Sequence, residues 1–264
     1  MTSLAEEGFL SDEMSGVVDA VERRYAPWLT IIRSVNARAV KSQYEASVPR
    51  EYLPALVAAT CYLRTLTNTQ AAVLLTLRGL DVPARILLRA AMESLFQLKA
   101  VERDRNVVNS ILAGDDVFRK KLLEKHKRHD DPKVNAELER IGEPKSDTAE
   151  RFKEWGVRPL TIEQMAAKAD LTPLYLSAYP LLSNAAHAGI RDLEGHHLEL
   201  DDSREIVALK NEPQINGLET PFLIAAEFLI IALEGFASIL KIDLGEFLEA
   251  PKRSLQDLSD AHRN

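Results

Sequence analysis

The chain has 264 residues, a formal net charge of −7, 46% hydrophobic residues and one cysteine, Cys61. A chain of this length buries roughly 75% of the surface it exposes when unfolded, so a core needs neither disulfides nor structural metal, and a lone cysteine suits a reducing cytoplasm. The acidic balance argues against a surface that tracks nucleic acid along its whole extent.

The first residues, MTSLAEEGFLSDEMSG, are acidic and lack the basic-then-apolar order of a signal peptide. Apolar residues then recur at spacings of three and four, and period-two alternation is rare, so helices are expected nearly throughout. Residues 11–47 read as one or two amphipathic helices broken near Pro27. Pro49 marks a turn, and an Ala-, Thr- and Leu-rich helix follows over 51–78, stopped by Gly79. Asp81 is expected to cap the next helix, 82–103, with Pro83 in its first turn. The link is so short that these two helices should fold back on each other.

Residues 105–170 are charge-dense and are expected to hold short solvated helices. Thr172-Pro173 opens a helix over 173–189. The stretch HHLELDDSREIVALKN carries strand character, two short runs around a polar turn, so a small β-hairpin is expected near residues 196–211. The run PFLIAAEFLIIALEGFASIL from Pro221 nearly spans a bilayer in length, but Glu227 and Glu234 lie inside it. An unpaired carboxylate is expensive in lipid, so the segment 221–241 reads as the buried helix of a protein without membrane contact. The fold class expected is all-α, a multi-helix bundle. Residues 1–48 form an N-terminal helical extension, 49–242 the helical core and 243–264 a peripheral C-terminal helix.

Polar residues in apolar helices are the candidate functional residues. In DVPARILLRAAMESLFQLKAV, Arg85, Arg89, Glu93 and Gln97 follow at four-residue steps and form one stripe. In YPLLSNAAHAG, Ser183 and His187 stand four apart, and Pro180 removes one helical hydrogen bond. Glu227 and Glu234 share a face and are expected to meet Arg85, Arg89 or His187 across the core. The cluster Arg85, Arg89, Glu93, Ser183, His187 and Glu227, with Arg191 beside it, is therefore expected either to be structural or to hold a small anionic ligand. An acid–base pair of His187 with Glu93 is a separate enzymatic reading. Zinc at His126 and His129 is not expected, since three apart is an awkward pair without further ligands. No Walker A loop, Rossmann fingerprint or zinc-ribbon cysteine pattern occurs, so no metal and no cofactor is expected.

The order R-x-x-x-R-x-x-x-E (Arg85, Arg89, Glu93) and then Y-x-x-x-S-x-x-x-H (Tyr179, Ser183, His187) resembles a bacterial family known only as domain of unknown function 5677, over roughly residues 50–240. The resemblance implies a helical cytoplasmic protein without an assigned activity, with polar positions at Arg89, Glu93, Ser183 and His187. RDLEGH, from Arg191 to His196, resembles the Arg–polar–three residues–His motif of HEPN ribonucleases. That resemblance implies an all-helical homodimer of the toxin or anti-phage kind acting on RNA. Arg191 would steady a phosphate, and His196 would move the proton. A binding or interaction protein is thus the main expectation, and a HEPN-like ribonuclease the alternative.

Overall fold

The computed structural model describes residues 2–126, 136, 156–187 and 190–263. Among them the chain is mostly helical, with one two-stranded antiparallel hairpin. A short α1 (Leu4–Glu7) and a single 3-10 turn lead into α2 (Met14–Arg24) and α3 (Ala26–Glu45). The break falls at Tyr25, and Pro27 enters the first turn of α3, where its missing N–H costs nothing. Then come α4 (Leu53–Leu77), α5 (Asp81–Arg103) and α6 (Val107–His126). The expectation of short helices after residue 105 is corrected here: α6 runs for 20 residues, because Val107, Val108 and Ala113 bury its beginning. His129 lies outside the described residues.

The second half contains α7 (Ile162–Lys168), α8 (Thr172–Ala186), α9 (Ile190–His197), β1 (Leu198–Leu200), β2 (Ile206–Leu209), α10 (Glu219–Leu240) and α11 (Glu249–Arg263). Pro180 sits inside α8, which ends at Ala186 with His187 as its C-cap rather than running to Gly189.

The core lies where α3, α4, α5 and α10 meet, with α7 and α8 packed on α5. Ala58, Ala59 and Ala72 of α4 and Ala84 and Ala91 of α5 are all buried, so the two backbones lie close. The buried Thr65 hydroxyl, bonded to the Cys61 carbonyl of its own helix, also reaches the Ala91 carbonyl of α5. Tyr62 ties three helices together. Its ring stacks on Phe236 of α10 at 3.9 Å, and its hydroxyl donates to the Ala39 carbonyl of α3. Tyr25 does the same for the chain entering α10: its hydroxyl accepts from the Leu218 N–H while its ring meets Phe222.

α10 is long and apolar enough to cross a membrane by length and composition. Phe222, Phe228, Leu229, Leu233 and Phe236 are nevertheless buried in the bundle. The link from α4 to α5 closes as a Schellman turn, with Leu80 N–H on the Leu75 carbonyl, Gly79 N–H on the Thr76 carbonyl and Gly79 at φ +69°. The turn docks onto the chain after the hairpin through the Gln214 N–H and the Gly79 carbonyl.

The hairpin falls inside the stretch 196–211 where it was expected. Leu198 faces Leu209, Glu199 faces Ala208 and Leu200 faces Ile206, with an irregularity between Glu199 and Leu200. Asp201 holds the turn by accepting from the N–H groups of Ser203 and Glu205.

Candidate functional site

The first turns of α5 carry Asp81, Arg85, Arg89 and Glu93 at four-residue steps, which places them in one stripe along the helix. The structure divides this stripe into two centres. Each receives a histidine from the segment between α8 and the hairpin.

At the start of α5, Asp81 is the first helical residue and its side chain caps nothing. The expectation that it acts as an N-cap is corrected: its carboxylate turns instead to Arg85 and His196. Arg85 holds it with two bonds, Nη2 to Oδ2 at 2.6 Å and Nε to Oδ1 at 3.0 Å. His196 Nε2 lies 3.3 Å from the same Oδ2. Facing a carboxylate oxygen, that ring nitrogen is the donor. The Asp81 side chain is only 2% exposed. A buried carboxylate persists where guanidinium and imidazole donors satisfy it. A cavity of about 180 Å³ opens beside this centre, with His196, His197 and Gln214 on its wall. His197 is held in turn by an Nδ1 contact to the Lys210 carbonyl at 3.3 Å.

One turn further along α5, Arg89 reaches α8. Its Nη2 donates to the Tyr179 hydroxyl at 3.1 Å, and its Nη1 lies 3.2 Å from His187 Nε2. A guanidinium only donates, so this contact requires a neutral imidazole with its proton on Nδ1. The guanidinium also lies over the Tyr179 ring, 5.4 Å from its centroid, an arrangement that favours a cation over a π-face. Glu93 touches Arg89 through Nε at 3.3 Å. That contact does not align as a hydrogen bond, and the buried Nε has no hydrogen-bond partner among the described residues. The Arg89 side chain is 21% exposed, and His187 is exposed.

Several expected members lie elsewhere. Ser183 is half-buried on α8, one turn from both Tyr179 and His187. Glu227 and Glu234 do not cross the core to meet α5. Their face of α10 turns towards α11, where Glu234 pairs with Lys252 and Glu227 lines a groove beside the same lysine. Arg85 belongs to the Asp81 centre and not to the Arg89 cluster. Arg191 lies in α9, and its side chain is outside the described residues. His196, the second residue of the HEPN-like pattern, is mostly covered, with its ring turned to Asp81. His187 and Glu93 meet through Arg89, each touching a different nitrogen of the guanidinium. Among the described residues no three histidine, cysteine or acidic side chains converge in a way that could hold a metal ion.

Sequence reasoning missed Asp81 as the hub of a centre. The signal was present, since Asp81 and Arg85 are an i,i+4 pair of opposite charge.

A family model described as a family of unknown function, DUF5677, matches residues 55–206. This span covers both centres on α5, the Tyr179–Ser183–His187 face of α8, and α9. No curated protein and no solved structure matches the chain, and the HEPN resemblance gains no support from these comparisons.

Proposed function

The chain belongs to the DUF5677 family, and from that premise we propose that it is a binding module that holds a small anion at Arg89. The observation that carries this reading is the contrast between two arginines one turn apart. Arg85 is matched by a buried carboxylate with two well-formed bonds. Arg89 meets two neutral groups and one poorly aligned, partly hydrated carboxylate, and its Nε–H lacks a sound partner among the described residues. A guanidinium held by an aromatic ring and left under-matched in charge is well suited to a planar or tetrahedral oxyanion. The Tyr179 oxygen accepts from Arg89, which leaves its own hydrogen to donate. The remaining guanidinium hydrogens and the Tyr179 hydroxyl hydrogen are thus the donors that this edge of the α5–α8 seam offers an oxyanion, while His187, engaged through Nε2, holds the guanidinium in place.

Thermal melts in inorganic phosphate and in acetate, with ionic strength held constant by chloride, test this reading. A ligand at 100 times its Kd stabilises the fold by about 2.7 kcal/mol. The melting temperature is expected to rise with phosphate or acetate in the wild type and to stay flat in Arg89→Gln. No rise in the wild type, or an equal rise in Arg89→Gln, removes the anion site. The Arg89 network is then a clamp between α5 and α8.

A further inference from the structure

We infer that anion binding at Arg89 is coupled to the uptake of one proton by His187, so that the site takes oxyanions more tightly as the pH falls. The inference deepens the anion-site reading and rests on it.

The contact between the two side chains is conditional. Arg89 Nη1 lies 3.2 Å from His187 Nε2. A guanidinium has hydrogens to donate and no lone pair to offer, so Nε2 is the acceptor. It accepts only while the imidazole is neutral. A proton arriving from solvent has one ring nitrogen to bind, because Nδ1 already carries the hydrogen of this tautomer. It binds Nε2, the atom that holds Arg89. Both partners are then cationic donors. The hydrogen bond is lost, and like charges face each other. Histidine is the side chain whose charge ordinarily changes between roughly pH 5 and 8.

The surroundings of His187 permit this change. Its ring is exposed, so water reaches it and it has room to swing away. It is the C-cap of α8, with its backbone N–H on the Ser183 carbonyl. The carbonyl end of a helix favours a cation. Among the described residues, α5 presents to it Arg89 and, behind Arg89, Glu93, which touches Nε of the same guanidinium at 3.3 Å. Its own helix presents Tyr179, whose hydroxyl accepts from Arg89. Asp81, Arg85 and His196 form a closed centre further towards the start of α5.

An oxyanion resolves the conflict between the two cations. Set between the released guanidinium and the imidazolium, it accepts from both, and charge-assisted bonds of this kind are stronger than neutral ones. With His187 neutral, its ring occupies a guanidinium hydrogen that the anion would otherwise use. Protonation therefore frees a donor on Arg89 and adds a second positive charge beside it. Proton and anion each raise the affinity for the other, by the same factor.

Calorimetric titration with sodium sulfate at pH 5.5 and pH 8, at constant ionic strength, tests the proposal, since the charge of sulfate is the same at both. In the wild type the Kd is expected to be lower at pH 5.5 by about fivefold or more, a usual strength of coupling between sites. His187→Gln, whose amide oxygen accepts from Arg89 at either pH, is expected to give one Kd at both. Arg89→Gln is expected to bind no sulfate. A wild type that binds no sulfate at either pH removes the anion site, and the coupling with it. Equal Kd values at the two pH values in the wild type, or the same pH dependence in His187→Gln, leave the anion site standing and overturn the coupling. Nitrogen-15 spectra of histidine-labelled protein read the proton directly. At pH 8 His187 is expected to carry its hydrogen on Nδ1, and its titration is expected to move to higher pH when sulfate is added. A hydrogen on Nε2 at pH 8, or a titration indifferent to sulfate, also overturns the proposal.

Discussion

Cys61 sits in α4 with its sulfur 3.4 Å from the side-chain oxygen of Gln97 on α5, and it is buried. Burial outweighs the opposing pull of Arg64 and pushes its thiol up to about 11 from 9.0. A group that holds its proton more tightly when folded contributes full stability below its unfolded pKa. That contribution is lost as pH rises through the folded value. The window is therefore pH 9 to 11, and two units correspond to roughly 3 kcal/mol. Tyr62, also buried, has its hydroxyl pushed well above the usual tyrosine range by desolvation. It contributes a loss of the same sign, so comparison with Cys61→Ala isolates the thiol. Urea melts at pH 8 and pH 10.5 should show a steeper alkaline loss in the wild type than in Cys61→Ala. A thiol reagent at pH 8 should modify the native protein only as fast as it opens. Immediate modification would contradict the burial. Gln97, the last member of the four-step stripe, thus has a partner too. The stripe was legible in spacing alone. Its partners were not, because Tyr179, His187 and His196 come from about ninety residues or more further along the chain, and no local pattern says which turn each will face.

Gly79 shows how one position joins elements. It terminates α4 at φ +69°, and a Cβ built there would lie 2.6 Å from the Gln214 carbonyl oxygen and 2.7 Å from the Gln214 nitrogen. Both neighbours are backbone, so neither can swing away. Holding a non-glycine residue at positive φ costs on the order of 1–3 kcal/mol before any clash is counted, and Gly79→Ala should lose at least that much in a chemical melt. Gly16, in the first turns of α2, has open space around the same construction. Gly16→Ala should be neutral or stabilise by up to about 1 kcal/mol. Equal effects at the two sites would refute the docking of this turn onto the chain at Gln214. Helix boundaries were readable from such punctuation: Gly79 ended α4, Pro27 placed the α2–α3 break to within two residues, and the polar turn DDSR located the hairpin. Asp81 was misread because an aspartate beside a helix start looks the same whether it caps the backbone or binds a side chain four residues on. The carboxylates of α10 were misread because helical periodicity gives a shared face but not the neighbour that face meets.

At the scale of the whole molecule, burial is unevenly divided. α4, α5 and α10 share one continuous apolar core with α3, and all fourteen buried positions of α10 lie in that single helix. α9 and the hairpin bring their apolar side chains to the surface instead, with Ile190, Leu193, Ile206, Val207 and Leu209 all exposed. Their main anchors to the bundle are polar: His196 on Asp81, and the Gln214 N–H on Gly79. Opening free energies in one protein range from near zero to the global value according to buried contact and backbone exposure. Amide exchange in dilute protein should therefore be slowest along α4, α5 and α10, set by global unfolding. It should be orders of magnitude faster across β1 and β2. Asp81→Asn, which removes the charge that holds His196, should speed exchange in α9 more than in α4. Hydrogen–deuterium exchange read by mass spectrometry resolves these segments. A hairpin as protected as α10 at the lowest concentration would mean that the arm belongs to the core, and the division of the molecule into a packed bundle and a lightly tethered arm would fail.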